Sequence, residues 1–254
     1  MNITLLQYNI EWGNTLTNLD RIESMIRDNL ENTDLLVLPE MFHCGFTLSP
    51  ENVAETMNGV VVNWLQSITN RYRVGIIGSI VVFEDNKFYN RLLFVRPKQE
   101  IIVYDKRHLF RMGGEDKKYS SGKERVIAEF KGFRIRPLIC YDLRFPVWSR
   151  NQNDYDILIY VANWPSVRQN AWKSLLVARA IENQCYVVGV NRVGEDPDNK
   201  YEGGSAIIDY KGVYISQSRL GEESIINGNV DIDNLIQFRQ KFPAYLDSDR
   251  FKII

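Results

Sequence analysis

The stretch Asp34-Leu35-Leu36-Val37-Leu38-Pro39 decides the fold. Four consecutive apolar residues after an aspartate read as a buried strand, and the proline closes it. Before it, Thr17 to Leu30 carries Leu19, Ile22, Met25, Ile26 and Leu30 at helical spacing. After it, Val60 to Tyr72 reads as a second helix and Val74 to Val81 as another strand. A buried strand set between amphipathic helices points to layered α/β architecture.

The same alternation extends in both directions. Thr4 to Tyr8 is a first strand, and Phe88 to Val95 and Ile101 to Tyr104 are expected to pair around a Pro97-Lys98 turn. The second half opens with strands Arg125 to Phe130 and Phe133 to Ile139, then a helix near Pro146 to Asn151, because proline suits a first helical turn. Strand Ile157 to Val161, helix Gln169 to Asn183 and strand Cys185 to Asn191 follow. Ser205 to Asp209, Gly212 to Ser218 and Glu223 to Val230 complete the strands, and Asp233 to Ile254 is expected as a short helix with an extended arm. No linker, repeat or low-complexity tract interrupts this order, so residues 1–254 are expected to form a single α/β sandwich domain.

Composition narrows the function. Of 254 residues, 44% are hydrophobic and 25% charged, and 31 basic side chains meet 32 acidic ones for a net charge of −1. A nucleic-acid interface normally shows as a basic excess, so no nucleic-acid partner is expected. No apolar run approaches the length of a membrane span, and the N-terminus lacks a basic leader, so a cytoplasmic location without membrane association is expected. Cys44, Cys140 and Cys185 form no CxxC pair, which suggests neither a zinc site nor a disulfide framework.

Four polar residues lie where chemistry could be placed. Cys140, in Leu138-Ile139-Cys140-Tyr141-Asp142-Leu143-Arg144-Phe145-Pro146, ends an apolar strand and precedes the expected helix. Backbone N–H groups at such a turn would lower a thiol pKa and could supply an oxyanion donor from Tyr141, although a buried cysteine at a strand end is also an ordinary packing residue. Glu40 directly follows the strand that opened this reading, beside the core, where a carboxylate can serve as a general base; a solvated loop glutamate is the plainer account. Lys106, in Tyr104-Asp105-Lys106-Arg107-His108-Leu109-Phe110, could hold a thiolate or oxyanion, or belong to a surface basic cluster paired with Asp105. Glu115 sits in a glycine-containing loop of mixed charge. His43 and His108 are the only histidines, and neither has an evident partner to orient it as the base of a cysteine–histidine dyad.

Together these segments resemble the nitrilase, or carbon–nitrogen hydrolase, superfamily. Leu38-Pro39-Glu40-Met41-Phe42, the Lys106 segment and the Cys140 segment each look like one of its signatures, in the order Glu, Lys, Cys and 66 and 34 residues apart. Arg144 to Asn151, Val161-Ala162-Asn163-Trp164-Pro165 and Ala178 to Gln184 are similar to the bacterial ω-amidase branch. The Glu115 loop also fits, with Tyr119 and Gly122 in the places of the family's aromatic and glycine, while Ser121 stands where many relatives have proline.

The resemblance implies a four-layer α-β-β-α sandwich that pairs as a homodimer. It implies hydrolysis of the ω-amide of a small 2-oxo dicarboxylic acid, with Cys140 as nucleophile, Glu40 as general base and acid, Lys106 and the Tyr141 N–H on the oxyanion, and Glu115 in support. No metal or organic cofactor is required for that chemistry. Phe42, Phe46, Asn163 and Trp164 are expected pocket walls, and Arg168 the clamp for the substrate's carboxylate, with Arg144 expected instead as a structural partner of Asp142 or a nearby carboxylate. An N-carbamoyl amidohydrolase, a true nitrilase and a non-catalytic binding module on the same scaffold are the alternatives. The first two relatives usually carry longer substrate loops than this chain, and a binding module would be expected to lack a member of the triad.

Overall fold

In the computed structural model, which describes residues 1–249 and 251–253, the opening strand is short and central. Strand β1 (Asn2–Gln7) leads through helix α1 (Thr15–Ile26) to β2 (Leu35–Val37), then through α2 (Val60–Tyr72) to β3 (Gly75–Glu84), β4 (Lys87–Val95) and β5 (Ile102–Asp105). The second half holds β6 (Ala128–Phe130), β7 (Phe133–Ile139), α3 (Pro146–Ser149), β8 (Ile157–Ala162), α4 (Gln169–Asn183) and β9 (Tyr186–Asn191). Next come a small hairpin, β10 (Val193–Glu195) and β11 (Lys200–Glu202), then β12 (Ala206–Ile208), β13 (Tyr214–Gln217), β14 (Ser224–Asn229) and α5 (Ile232–Lys241).

Two six-stranded sheets result, one in the order β14-β1-β2-β3-β4-β5 and one in the order β13-β12-β9-β8-β7-β6. Each has three parallel strands at its centre, β1-β2-β3 and β7-β8-β9, with antiparallel strands outside them. Period-two alternation sorts the apolar residues into layers. Leu35 and Val37 face the core between the sheets together with Ile3, Leu5, Ile77 and Phe94, whereas Leu36 and Leu38 face the core under α1 and α2. On the far side α4 lies on β9 so closely that a Cβ at Gly189 would come within 2.6 Å of Leu176 Cδ1. The layers therefore run helix, sheet, sheet, helix, as the sandwich expectation required.

The differences from the sequence reading have local causes. Helix α1 begins before Thr17 because the Asn14 side chain accepts the Thr17 N–H at 3.2 Å and caps it, a signal outside the apolar period. The β10–β11 hairpin was not foreseen: its strands are three residues each, too short for periodicity to register. In the C-terminal arm, α5 is followed by a single turn at Ala244–Asp247, while Arg250 and Ile254 lie outside the described residues.

The parallel strands share one consequence: Glu40, Cys140 and Asn163 all follow the carboxyl ends of β2, β7 and β8. The opposite end is held by Asp156 at the start of β8, whose carboxylate accepts from Arg134 (2.8 and 3.0 Å) and from Arg239 on α5 (2.8 Å). Burial works against the charged form there, but the two guanidiniums outweigh it and hold the carboxyl below the usual aspartate range. Asp156→Asn should therefore cost about 2 kcal/mol near neutral pH, since Arg134 is partly solvent-screened. That contribution is complete above the unfolded aspartate value of about 3.9 and disappears as pH falls through the lower folded-state value. Denaturant unfolding of both forms at pH 7 and below pH 4 checks this; a gap that widens in acid would contradict it.

Candidate active site

Lys106 is where the two halves of the fold meet. It follows β5, its backbone N–H bonds to Asn90 O at 3.0 Å, and its side chain runs inward while Asp105 turns outward to Arg91 at 2.7 and 2.9 Å. The alternative of a surface pairing with Asp105 is thus replaced by an interior one. Nζ lies 2.8 Å from Glu40 Oε1 and 2.9 Å from both oxygens of Glu115, and all three residues are essentially inaccessible to solvent. Burial alone would lower the ammonium's pKa, but the Glu115 and then the Glu40 carboxylates overcome it and hold it well above the ordinary lysine range.

Each carboxylate is aimed by further donors. Glu40 Oε1 accepts from Asn90 Nδ2 at 2.8 Å, and Oε2 from the backbone N–H of Asn163 at 2.8 Å. Glu115 Oε2 accepts from the Phe110 N–H at 2.6 Å. Burial is the main influence on Glu115 and raises its pKa; Glu40 adds to that and Lys106 opposes it. The Glu115 loop closes on the site through Tyr119, whose hydroxyl donates to Thr47 O at 2.8 Å, and through Gly122. Gly122 bonds to Lys106 O, and a Cβ there would fall 2.2 Å from Asp105 O.

Cys140 ends β7 and starts a 3-10 turn through Arg144 with a left-handed φ of 42°. Its Sγ faces Asn163 O at 3.9 Å, and the Tyr141 N–H lies in the first turn, where amides have no intrahelical acceptor. Here the structure corrects the expectation of a depressed thiol pKa. Burial pushes the thiol well above the ordinary cysteine value and the Glu40 carboxylate pushes it further, with Lys106 only partly offsetting them.

A cavity of about 60 Å³ opens over these groups, room for roughly four to six water-sized groups. Phe46, Asn163, Trp164 and Arg168 line it, with Phe46 5.8 Å from Lys106 Nζ. Phe42 does not: its ring is buried under the helix layer against Leu38, Gly78 and Trp64, because the chain turns sharply at Met41 (φ 43°). Arg144 is the second correction. Asp142 bonds instead to Tyr104 and His108, leaving Arg144 on the cavity wall with its guanidinium 5.0 Å over the Trp164 ring. Arg168 sits likewise, 5.2 Å over Phe110.

Neither histidine pairs with Cys140. His43 is fully buried beside Cys44 and accepts the Val81 N–H, and burial lowers its pKa to about 3; His108 is bound to Asp142. Asn90, Asn199 and Tyr201 were missed by the sequence reading. Asn90 lies mid-strand in β4 with no local sign of its inward role, and the other two belong to the unforeseen hairpin. Among the described residues no group of three or more His, Cys, Asp or Glu side chains is arranged for a metal ion.

Known proteins resemble this chain over nearly its whole length. The carbon–nitrogen hydrolase family model matches residues 2–240. The chain is 43% identical to an omega-amidase, YafV, of Yersinia enterocolitica over 100% of this chain and 99% of the relative. It is 34% identical to a 2-oxoglutaramate amidase of Bacillus subtilis over 96% of each. A crystal structure of a CN-hydrolase superfamily protein from Xanthomonas campestris, with an arsenic adduct in its active site, superposes with a TM-score of 0.97 at 40% identity, covering 100% of this chain and 99% of that one.

Because Cys140 is held as a neutral thiol, the thiolate absorbance lost in Cys140→Ser should be absent from pH 6 to about 9, past the ordinary cysteine value of about 8.5. Difference ultraviolet titration of the two proteins measures it. A midpoint below pH 8 would show that the ammonium, and not the carboxylate and burial, dominates the sulfur.

Proposed function

The chain belongs to the carbon–nitrogen hydrolase family, and on that premise we propose that it releases ammonia from the ω-amide of small 2-oxo dicarboxylic acid monoamides, 2-oxoglutaramate and 2-oxosuccinamate, through a thioester on Cys140. The observation that carries this reading is the buried Glu40–Lys106–Glu115 group beside the Cys140 thiol, beneath a cavity walled by two arginines. The omega-amidase and 2-oxoglutaramate amidase relatives supply the substrate class.

With a neutral thiol, proton removal and attack belong to one step. Glu40 takes the Sγ proton as sulfur bonds to the amide carbon, and Lys106 and the Tyr141 N–H receive the developing oxyanion. Glu40 then gives its proton to the nitrogen, the C–N bond breaks and ammonia leaves. Water activated by the same carboxylate releases the acid from the thioester. Glu115 keeps the ammonium in place: without it one carboxylate would have to orient Lys106 and move protons at once.

Arg144 and Arg168 face the cavity, each over an aromatic ring and neither ion-paired with another described residue. They are the groups suited to the substrate's distal carboxylate. We read the working unit as a homodimer of this single-domain chain in the cytoplasm. Ile181 on α4 and Val213 in the adjoining turn are exposed apolar residues on one face, and the three cysteines are unpaired. No helix among the described residues is long and apolar enough to cross a membrane.

Ammonia release from 2-oxoglutaramate, with glutamine and simple nitriles as comparators, tests the activity. Wild type should turn over the 2-oxo amide in preference to both comparators, and Cys140→Ala should lower kcat by at least about 10⁴-fold. In the same assay Arg144→Ala or Arg168→Ala should raise KM by about 10- to 100-fold with kcat largely kept, the loss of one charge-assisted contact. Turnover undiminished in Cys140→Ala would sink the mechanism. Sedimentation of the native chain at micromolar concentration should return twice its mass, and a monomer would remove the dimer from the reading.

A further inference from the structure

The Asp142 carboxylate is fully buried and is absent from the cavity wall, so it is not placed to touch a substrate. Its bonds run to two separate segments. Oδ1 accepts the His108 backbone N–H at 3.0 Å and faces His108 Nδ1 at 2.7 Å; a carboxylate only accepts, so Nδ1 carries the proton. Oδ2 accepts the Tyr104 hydroxyl at 2.7 Å and the Ile139 N–H at 3.1 Å. Tyr104 and His108 stand two residues on either side of Lys106, and Ile139 and Asp142 bracket Cys140.

We propose that Asp142 is a positioning residue for the reaction, fixing the lysine segment against the nucleophile turn and thereby setting where the ammonium lies relative to the thiol. This rests on the reading of Cys140 as nucleophile with Lys106 at its side. The backbone gives the first reason. A non-glycine residue in the left-handed region costs about 1–3 kcal/mol and persists only where its surroundings over-determine it. Cys140 is such a residue, and Asp142 holds the residue before it, through the Ile139 N–H to its carboxylate, and the end of its turn, through its own carbonyl to the Phe145 N–H at 3.0 Å.

The second reason is that the brace on the lysine side has little freedom. Besides donating to Asp142, the Tyr104 hydroxyl accepts from Trp148 Nε1 at 3.0 Å and from the Arg107 N–H at 3.3 Å, which fills its bonding capacity. The His108 ring is stacked on Phe145 at 3.9 Å and 8°. Phe145 closes the same turn that begins at Cys140, so the contact ties the two segments a second time. A shift of the lysine segment would therefore have to break bonds on both sides of Asp142.

Two substitutions test this. Asp142→Asn keeps the volume but turns an amide NH₂ towards groups that are themselves donors. Per site titrated by Cys140 alkylation, its kcat on 2-oxoglutaramate should fall about 100-fold or more, with KM changed less than about threefold. Tyr104→Phe removes one hydroxyl, which donates to Asp142 and accepts from Trp148 and Arg107, at a residue off the cavity wall; its kcat should fall about three- to tenfold at unchanged KM. The rate of Cys140 alkylation by iodoacetamide, followed by mass spectrometry, should slow in the same order, because the loosened turn no longer holds the thiol where Glu40 can take its proton. That second readout holds whether or not the amide is turned over, so a wild type that yields no ammonia refutes the substrate reading and leaves the positioning role to be decided by alkylation. Two results would overturn the proposal. One is unchanged kcat and alkylation in Tyr104→Phe, whatever the melting temperature. The other is a loss that appears in KM alone.

Discussion

An ammonium held between two buried carboxylates is the constraint on which the rest of this structure depends. Burying one ion without a partner costs several kcal/mol, and here three ionisable groups are withdrawn from water together. The arrangement survives because every oxygen facing the ammonium has another donor or shares it: Asn90 and the Asn163 N–H on Glu40, the Phe110 N–H on Glu115. These donors come from β4, from the end of β8 and from the loop after β5, so both sheets and one long connection must be in place before the site is electrostatically tolerable. Fold and site are therefore a single object, and the site cannot be moved to one sheet alone.

That coupling explains what could be read from the sequence. Element type was legible wherever a periodic apolar run exceeded five or six residues, as in Val60–Tyr72 and Gln169–Asn183, whose ends the sequence reading matched. The strand ends bearing Glu40 and Cys140 were visible because polar residues stop those runs abruptly. Asn90 was not visible: it sits in the middle of β4, and its inward side chain is meaningful only once β2 and the Glu115 loop are alongside. Phe42 misled for the opposite reason. It is two residues from Glu40 in sequence, but the left-handed Met41 turns the chain and sends the ring to the other side of the sheet.

The state of the thiol was also beyond sequence reasoning. A cysteine at the head of a turn suggests a lowered pKa, and the local backbone does present free amides. Depth outweighs that effect here, since desolvation penalises the thiolate and the adjoining carboxylate penalises it again. A neutral thiol beside a carboxylate is less reactive towards stray electrophiles than a standing thiolate. In the proposed mechanism it becomes a nucleophile as an electrophilic carbon receives the electron pair and the proton departs to Glu40. Met41 and Cys140 both adopt left-handed backbone just past the ends of the two strands whose side chains must meet.

The charge layout of the cavity then bears on direction. Its floor holds Glu40 and the Lys106 ammonium, with the Glu115 carboxylate behind them, while its wall has two arginines over aromatic faces with no carboxylate partner among the described residues. A monoamide can satisfy both ends, with its single carboxylate on the arginines and its uncharged amide over the floor. The product carries a second carboxylate, and in the proposed mechanism it is formed at Cys140, beside Glu40. Repulsion between like charges in a poorly solvated space raises the free energy of the bound diacid relative to the bound amide. The same electrostatics that retain the substrate by one end thus favour departure of the product by the other. A neutral amide without the distal carboxylate would gain nothing from the wall and would leave both guanidiniums unpaired.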